Sequence, residues 1–331
     1  MSEAACITRA ETRGVLDLSG VVDLRSVGVA RYARSLAASL GQHDVDYRLV
    51  TRRDPGSAAH VHLANSSRSL LLQSRGPGAP FVVTVHDVVP RTKALLPVYR
   101  ALAYPQVAYC AAAAVVHSAW AADLLVRVAG RPRRLEIIPH PAPRPFVTDR
   151  TAARHALGWP DDALIALVPG VVRGVKLVSE ALAAGRGLPD WRIAVAGRLA
   201  DRGLAREAAA CGAIVLAEPS DLDYERAIVA ADCVLCLRAG SVGETNGPLL
   251  DALGAGRAVL ATRTGSIPEV AGTSARYCDG TARTVRTALA ELTDDRARAE
   301  AEAMAHARGA QLTWRSSSAA HAELFREVLD A

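Results

Sequence analysis

The stretch from Cys233 to Val270 constrains the fold more than any other part of the sequence. It begins with an apolar run, Cys233 to Leu237, and passes through a loop of small residues that carries one carboxylate, Glu244. An apolar helix is predicted to begin near Pro248, since proline favours the first turn of a helix. A second apolar run, Ala258 to Thr262, follows that helix. The order strand, loop, helix, strand predicts a doubly wound parallel sheet.

The loop between the first strand and the helix has the composition of a phosphate site. Glycine and serine residues lead into the helix, whose first N–H groups are unpaired and lie at the positive end of the helix dipole. A carboxylate repels a diphosphate, so we expect Glu244 to face a group with hydroxyls to donate, such as a sugar. The segment thus predicts a site for a sugar next to a phosphate.

This segment resembles the donor-site signature of retaining GT-B glycosyltransferases of the "glycosyl transferases group 1" or family 4 class. In the bacterial subgroup that it matches, the loop reads R-x-x-x-x-G-E-x-[ST]-G. The corresponding residues are Arg238, Gly243, Glu244, Thr245, Asn246 and Gly247. The resemblance implies that Glu244 lies beside the donor sugar and diphosphate, while the loop amides bind phosphate.

Two further carboxylates follow in the same region. The family has a second glutamate after seven intervening residues, where it binds the ribose. Here Asp251 follows Glu244 after only six, which leaves a ribose role for Asp251 open. Glu269 ends the next glycine-rich turn, and we include it among the predicted donor-site residues.

A second strand end carries candidate catalytic residues. The apolar run Phe81 to Val85 ends at His86 and Asp87, and Pro90 prevents its continuation as a central strand. Open parallel sheets bind their ligands at the carboxyl ends of the strands. The segment resembles the family's V-x-T-x-H-D-x-x-P, which implies that His86 approaches the donor sugar and that Asp87 lies toward the acceptor.

Four other residues extend the predicted donor site by resemblance. Gly28, at the start of the first helix, matches part of the family's G-G-x-x-R-Y. Arg173 and Lys176 follow a strand end and resemble the basic pair that binds the donor diphosphate; together they could neutralise a departing diphosphate. Gly197 ends a strand near which the nucleotide base is expected.

The chain is predicted to form two Rossmann-like domains of the α/β class, with parallel sheets that face each other across a cleft. The expected first domain, residues 1–143, lies on the acceptor side, and residues 144–312 bind the nucleotide sugar. Alternating prolines near residues 139–145 predict an extended linker. By resemblance, residues 313–331 form a helix that returns to the first domain.

Composition excludes several other classes. The net charge is +5, but 37 of the 39 basic residues are arginines spread along the 331-residue chain, and no basic run is interleaved with aromatics, so nucleic acid is not an expected partner. An anionic substrate or peripheral contact with a membrane surface accounts for the charge equally well. The N-terminus lacks the apolar core of a signal peptide, which predicts a cytoplasmic protein.

No metal or cofactor is expected. Cys233 and Cys236 have C-x-x-C spacing but lie in an apolar strand without a second pair, which favours buried thiols. The D-x-D string at Asp44 and Asp46 and the one at residues 221–223 could be mistaken for the metal motif of the other major transferase fold. The second string is instead predicted to cap a helix.

The resemblance implies a retaining, metal-independent glycosyltransferase. Its donor would be a nucleotide diphosphate sugar and its acceptor a hydroxyl of a specialised metabolite, surface glycan or glycolipid. Two alternatives stay open: a GT-B nucleotide-sugar epimerase and a non-catalytic sugar-nucleotide-binding protein. The second is left open because Val171 replaces an arginine that the family often has there. A nicotinamide dehydrogenase is disfavoured because no G-x-G-x-x-G follows the first strand.

Overall fold

The computed structural model describes residues 15–23, 27–54, 56–64 and 78–329. The sequence also predicts a first strand from Gly14 to Leu18 and a first helix from Ser26 to Leu40, and the first residue of each lies outside the described residues.

The first sheet contains six described parallel strands in the order β2-β1-β3-β4-β5-β6. Strands β3, β4 and β5 are buried along their whole length, as expected where helices cover both faces of a parallel sheet. The strands are β1 Leu16–Val21, β2 Val45–Val50, β3 Ala59–Leu63, β4 Phe81–Val85, β5 Ala113–Val116 and β6 Leu135–Ile137. Helix α1, Val27–Leu40, follows β1, and helix α2, Ala119–Ala129, follows β5.

The segment between β4 and β5 is wound in short, irregular helical turns that the sequence did not predict. It contains a 3-10 turn, Lys93–Leu95, and one α-helical turn, Leu96–Val98. Two π-helical stretches follow, Tyr99–Ala103 and Gln106–Cys110. Tyr99 is fully buried, and its hydroxyl donates to the carbonyl of Ala64 at 2.8 Å, which fixes these turns against the end of β3.

The second sheet has six described parallel strands in the order β12-β11-β10-β7-β8-β9. They are β7 Leu164–Pro169, β8 Trp191–Gly197, β9 Ile214–Ala217, β10 Cys233–Cys236, β11 Ala258–Thr262 and β12 Arg276–Cys278. The accompanying helices are α3 Arg150–Leu157, α4 Val178–Gly185, α5 Arg202–Ala210, α6 Asp221–Ala230, α7 Gly247–Gly254, α8 Ile267–Ala271 and α9 Ala282–Glu291. The two sheets confirm the predicted α/β class with two parallel sheets.

Side-chain caps set where several helices begin. Ser118 caps α2 by accepting from the N–H of Ala121, and Asp149 caps α3 in the same way. The predicted cap of α6 was wrong. Ser220 is the cap and accepts from the N–H of Asp223, so the D-x-D carboxylates lie inside the first turn, where the helix dipole favours negative charge.

The chain passes between the two domains twice. The proline-rich linker, residues 139–145, has no regular structure, and it packs so closely on α7 that a Cβ at Gly254 would collide with the carbonyl of Pro143. Helix α10, Asp295–Gln311, belongs to the second domain and is followed by α11, Trp314–Leu329. Helix α11 lies against α1, and its residue Phe325 is fully buried in the core of the first domain.

A buried ion pair joins four elements of the second domain. Asp232, 2% exposed, follows α6 and accepts from the guanidinium of Arg154 at 2.5 Å and from the backbone N–H of Ile165 at 2.7 Å. Its other oxygen accepts from Arg150 at 3.0 Å, and Arg150 also pairs with Glu302 of α10. Asp232 thereby connects α3, α6, α10 and the start of β7.

Candidate active site

Several of the predicted site residues come from strand ends that face each other across the interdomain cleft. The segment after β4 meets the loop after β10, where the N–H of Val89 donates to the carbonyl of Val242 at 2.8 Å. Gly243 adopts φ +96°, and a Cβ there would collide with the side chain of Val88. Glycine is therefore required at position 243 both by backbone conformation and by the close approach of the first domain.

Four cationic side chains gather at this meeting point. They are Arg91 from the first domain and Arg173, Lys176 and Arg238 from the second. Burial, followed by the positive charge of Arg238, lowers the pKa of Lys176 to about 7. The ammonium of Lys176 donates to the carbonyl of Pro169, at the end of β7. The concentration of positive charge makes this region electrostatically favourable for an anion.

Glu244 is held among these cations. Its carboxylate pairs with Arg238 at 2.5 Å and lies 3.8 Å from Arg91. The same carboxylate accepts from the hydroxyl of Ser241 at 2.8 Å and from the N–H of Val242 at 2.7 Å. Burial alone would raise the pKa of Glu244, but the two guanidinium groups lower it, so the carboxylate stays ionised.

The described contacts of Glu244 are with two arginines and its own loop, and its place beside a donor sugar stays a prediction. In the structure Glu244 braces Arg238 and the turn of its own loop. The neighbouring loop residues are also used in part for the fold. Asn246 caps α7 by accepting from the N–H of Leu249, Gly247 is the first residue of that helix, and Thr245 is half-buried beside them.

Asp87 and Arg91 extend the cluster to the first domain. Asp87 pairs with Arg91 at 2.7 Å, and its side chain is 10% exposed. Arg91 also approaches Glu244, so it lies between Asp87 of the first domain and Glu244 of the second. The sequence reasoning did not single out Arg91, although its position four residues after Asp87 could have suggested an ion pair.

The two predicted glycines outside the loop are placed differently. Gly197 has φ +145° and packs on Gly170, where a Cβ would collide with the carbonyl of Gly170. Gly170 and Gly197 therefore allow the ends of β7 and β8 to pack closely together beside Lys176. Gly28 lies exposed in the first turn of α1, and no described residue lies within 4 Å of where a Cβ would be, so it makes no such close contact with the described part of the chain.

Asp251 and Glu269 bind to the opposite domain rather than to the cationic cluster. Asp251 accepts from Arg31 of α1 at 3.1 Å and from the hydroxyl of Tyr224 at 3.3 Å, and burial raises its pKa. The carboxylate of Glu269 accepts from the backbone N–H groups of Ala119 and Trp120 at 2.7 and 3.1 Å. Glu269 thus supplies a negative charge at the N-terminus of α2, a favourable position for a carboxylate.

His86 belongs to a buried cluster of histidines around the ring of Tyr32. The ring centroids of Tyr32 and His86 are 5.0 Å apart, and Nε2 of His86 is 3.0 Å from Nδ1 of His62. Burial lowers the pKa of each histidine in the cluster, so the rings are neutral at neutral pH. The members are His62, His86, His117 and His321, which are buried around Tyr32, the half-buried His140, and the buried His60, whose ring contacts that of His62.

Cys233 and Cys236 are both buried in β10, and burial raises the pKa of each thiol, which makes them unreactive core residues. Within the described ranges, no group of three or more His, Cys, Asp or Glu side chains is arranged to hold a metal ion. No helix in that part of the chain is both long enough and apolar enough to cross a membrane.

The sequence matches no protein family model and no curated protein, whereas the fold matches many solved structures. Sucrose-phosphate synthase from Thermosynechococcus elongatus is similar with a TM-score of 0.75 and 13% identity, over 95% of this chain and 99% of that one. HepE from Anabaena, in complex with UDP and glucose, is similar with a TM-score of 0.74 and 14% identity, over 94% and 100%. A glycosyltransferase from Rickettsia africae is similar with a TM-score of 0.69 and 14% identity, over 96% of this chain and 99% of that one.

At this level of identity the comparisons show the fold. The chain has the GT-B fold, in which two Rossmann-like domains face each other across a cleft, and its structural neighbours include glycosyltransferases. In this chain the cationic cluster lies at the facing strand ends, where α/β folds bind their ligands.

Proposed function

We propose that this chain is a retaining glycosyltransferase that transfers a sugar from a nucleoside diphosphate sugar to an acceptor hydroxyl. The observation that carries the proposal is the cationic cluster in the cleft. Its cations, which include Arg91, Arg173, Lys176 and Arg238, outnumber the two carboxylates Asp87 and Glu244 found among them, so the described part of the cluster is positively charged. A nucleotide sugar carries about two negative charges on its diphosphate. Because HepE was solved with UDP and glucose, UDP sugars are the first donors to test.

In the proposed reaction, the bond between the anomeric carbon and the diphosphate oxygen breaks as the acceptor oxygen bonds to the same face of the sugar. The acceptor proton passes to an oxygen of the leaving phosphate. Arg173, Lys176 and Arg238 stabilise the charge that develops on that phosphate, so the proposed mechanism requires no metal ion. Glu244 orients the donor and holds Arg238, and His86 binds the sugar.

The acceptor side of the proposal rests on Asp87. It belongs to the first domain and lies on the opposite side of the cleft from Lys176, with its carboxylate held by Arg91. We propose that Asp87 faces the acceptor hydroxyl, which belongs to a specialised metabolite, a surface glycan or a glycolipid. Closure of the cleft would exclude water, which otherwise hydrolyses the donor.

Replacing Lys176 with methionine is expected to lower kcat by about a hundredfold to a thousandfold, because it removes one preorganised charge from the leaving diphosphate. Methionine keeps most of the side-chain length, so the loss is electrostatic. Turnover of a panel of UDP, GDP, dTDP and ADP sugars is measured by product mass, with the anomeric configuration of the product assigned by NMR. Retention of the donor configuration is the expected result.

Lys93→Met is the matched control, since Lys93 is the other lysine of the chain and lies exposed in a surface turn. It should leave kcat unchanged. Unchanged turnover in Lys176→Met would contradict the assigned diphosphate site. Donor binding without turnover by any acceptor would identify a binding protein, and turnover that needs no acceptor would identify an epimerase.

Binding of UDP-glucose is expected to weaken as the pH rises above about 7. The pKa of Lys176 is lowered to about 7 by burial and by Arg238, so the free protein loses this positive charge as the pH rises through that value. A bound diphosphate favours the charged ammonium, so binding takes up a proton and Kd rises by up to about tenfold per pH unit. Titration calorimetry between pH 6 and 8.5 measures the slope.

Lys176→Arg is the control for this pH dependence, because a guanidinium stays protonated throughout the range. Its Kd should be nearly constant between pH 6 and 8.5. A wild-type Kd that is equally flat would show that Lys176 is already fully charged in the free protein.

A further inference from the structure

His86 stands at the end of a continuous chain of buried hydrogen bonds. The chain begins at the hydroxyl of Thr84, which lies 2.7 Å from Nε2 of His60. Nδ1 of His60 is 2.8 Å from the hydroxyl of Tyr47, and that hydroxyl is 2.9 Å from Nε2 of His62. Nδ1 of His62 is 3.0 Å from Nε2 of His86. All five side chains are at least nine-tenths buried.

The chain of hydrogen bonds from Thr84 to His86 allows only two complete arrangements of its protons. A neutral imidazole donates from one nitrogen and accepts at the other, and a hydroxyl carries a single proton. If Thr84 donates to His60, each later bond must run in the same direction, and all three histidines carry their proton on Nδ1. If His86 donates to His62, every bond is reversed and all three carry it on Nε2. A mixed arrangement leaves two donors or two acceptors facing each other in a buried place.

Thr84 selects between the two arrangements. When Thr84 donates to His60, its only proton is used, and every bond in the chain is made. In the reverse arrangement Thr84 accepts from His60, and its own proton has no acceptor among the described residues. A buried donor without a partner is costly, whereas an oxygen with a spare lone pair costs little. The first arrangement is therefore favoured.

We propose that Thr84, His60, Tyr47 and His62 are positioning residues that hold His86 in its Nδ1–H tautomer, so that it presents a neutral N–H donor. Nδ1 is the ring nitrogen of His86 that is not used in the chain. Given the proposed transferase function, this N–H donates to an oxygen of the sugar. His86 then acts in binding the sugar, and its Nδ1 cannot accept a proton as a general base.

The other three histidines of the cluster provide internal references. Nδ1 of His117 lies 2.9 Å from the carbonyl of Ile138, and Nδ1 of His140 lies 2.8 Å from the carbonyl of Pro141. Nδ1 of His321 lies 2.8 Å from the carbonyl of Ser317. A carbonyl can only accept, so each of these rings carries its proton on Nδ1 whatever happens in the chain of Thr84 and Tyr47.

The first test is NMR of the full-length protein labelled with 15N in its histidine rings, without any ligand. Signals are assigned with single His→Gln variants. We expect His60, His62 and His86 each to show the Nδ1–H tautomer alone. In Tyr47→Phe, the tautomers of His62 and His86 should become mixed while His117, His140 and His321 do not change. A wild-type His86 that is protonated on Nε2, or mixed, overturns the proposal.

Thr84→Val provides a second variant in case Tyr47→Phe does not fold. It removes the hydroxyl that selects the direction while it keeps the size of the side chain. The Nε2–H forms of His60, His62 and His86 should then appear together and in the same proportion, because the rest of the chain is intact. Independent changes at the three rings would show that they are not coupled.

The second test separates positioning from general stability. Tyr47→Phe is expected to lower kcat by about fivefold to tenfold, the effect of losing one oriented hydrogen bond, while KM for the donor changes less than about threefold. Tyr99→Phe is the control, because it removes a buried hydroxyl that donates to a backbone carbonyl outside the chain. Equal kcat values in the two variants overturn the positioning role. A wild-type protein without turnover overturns the proposed function but leaves the NMR result standing.

Discussion

Lowering the pH from 7.5 to 5.5 is expected to remove most or all of the stability of the folded protein. In the unfolded chain a histidine has a pKa of about 6.5. Burial, reinforced in most cases by neighbouring histidines, lowers the folded-state pKa of the six clustered histidines. The lowered pKa is about 3 for His62 and His140, about 4 for His117 and His321, and well below the usual value for His60 and His86.

The sign and the size of this loss of stability follow from the protons that the folded and unfolded chains bind. Between pH 6.5 and about 4, the unfolded chain binds protons that the folded cluster excludes, so the free energy of unfolding falls as the pH falls. Each histidine contributes about 1.4 kcal/mol per pH unit below 6.5. Six of them amount to roughly 8 kcal/mol at pH 5.5, comparable with the whole stability of an ordinary domain of about 5–15 kcal/mol.

Urea unfolding at pH 7.5, 6.5 and 5.5 measures this loss. The variant His321→Gln removes one buried histidine. The difference between its free energy of unfolding and that of the wild type should therefore be about 1.4 kcal/mol smaller at pH 5.5 than at pH 7.5. Tyr99→Phe is the control, since it alters a buried side chain that stays uncharged between pH 5.5 and 7.5, and the difference between its free energy of unfolding and that of the wild type should be the same at all three pH values. A wild-type protein that is equally stable at pH 7.5 and 5.5 would refute the assignment of neutral, buried rings.

Replacing Asp232 with alanine is expected to lower the free energy of unfolding by about 3–5 kcal/mol. The change leaves the guanidinium of Arg154, 6% exposed, without its buried carboxylate, and it leaves the N–H of Ile165 without an acceptor. Arg154 keeps its bonds to backbone carbonyls, including that of Ala230 at 3.0 Å, so it stays buried with its charge uncompensated. Urea unfolding at pH 7.5 gives the difference.

Asp17→Ala is the matched control for Asp232. Asp17 accepts two hydrogen bonds from Arg48, both at 2.9 Å, but both side chains are more than half exposed. Exposed pairs are screened by solvent and contribute little, so this variant should cost far less stability than Asp232→Ala. Similar losses in the two variants would mean that the burial of Asp232 does not determine its contribution.

The parts of the fold that follow from local sequence were predictable. Apolar runs such as Phe81 to Val85 and Cys233 to Cys236 indicate buried parallel strands, and proline and glycine mark where neighbouring elements begin or end. Since parallel strands place their carboxyl ends on one edge, the motifs that follow them come together. His86, Asp87, Lys176 and the loop of Glu244 are accordingly found at the facing strand ends.

Contacts between distant segments were not predictable in this way. The histidine cluster combines rings from β3, the ends of β4 and β5, the linker and α11, and no local pattern relates His60 to His321. Asp251 and Glu269 bind the opposite domain because the two domains meet there, which a motif within one segment does not encode. The reach of Arg91 to Glu244 depends on the same meeting of domains.

Helix α11 completes the core of the first domain, although the second domain lies between them in the sequence. Phe325 and Leu324 are buried with Leu18 of β1, so the first domain is assembled from two separate stretches of polypeptide. Cleavage within the linker, residues 139–145, would therefore yield two fragments that remain associated. Expression of residues 1–143 alone would expose the apolar surface that α11 covers, and a well-behaved isolated first domain must include that helix.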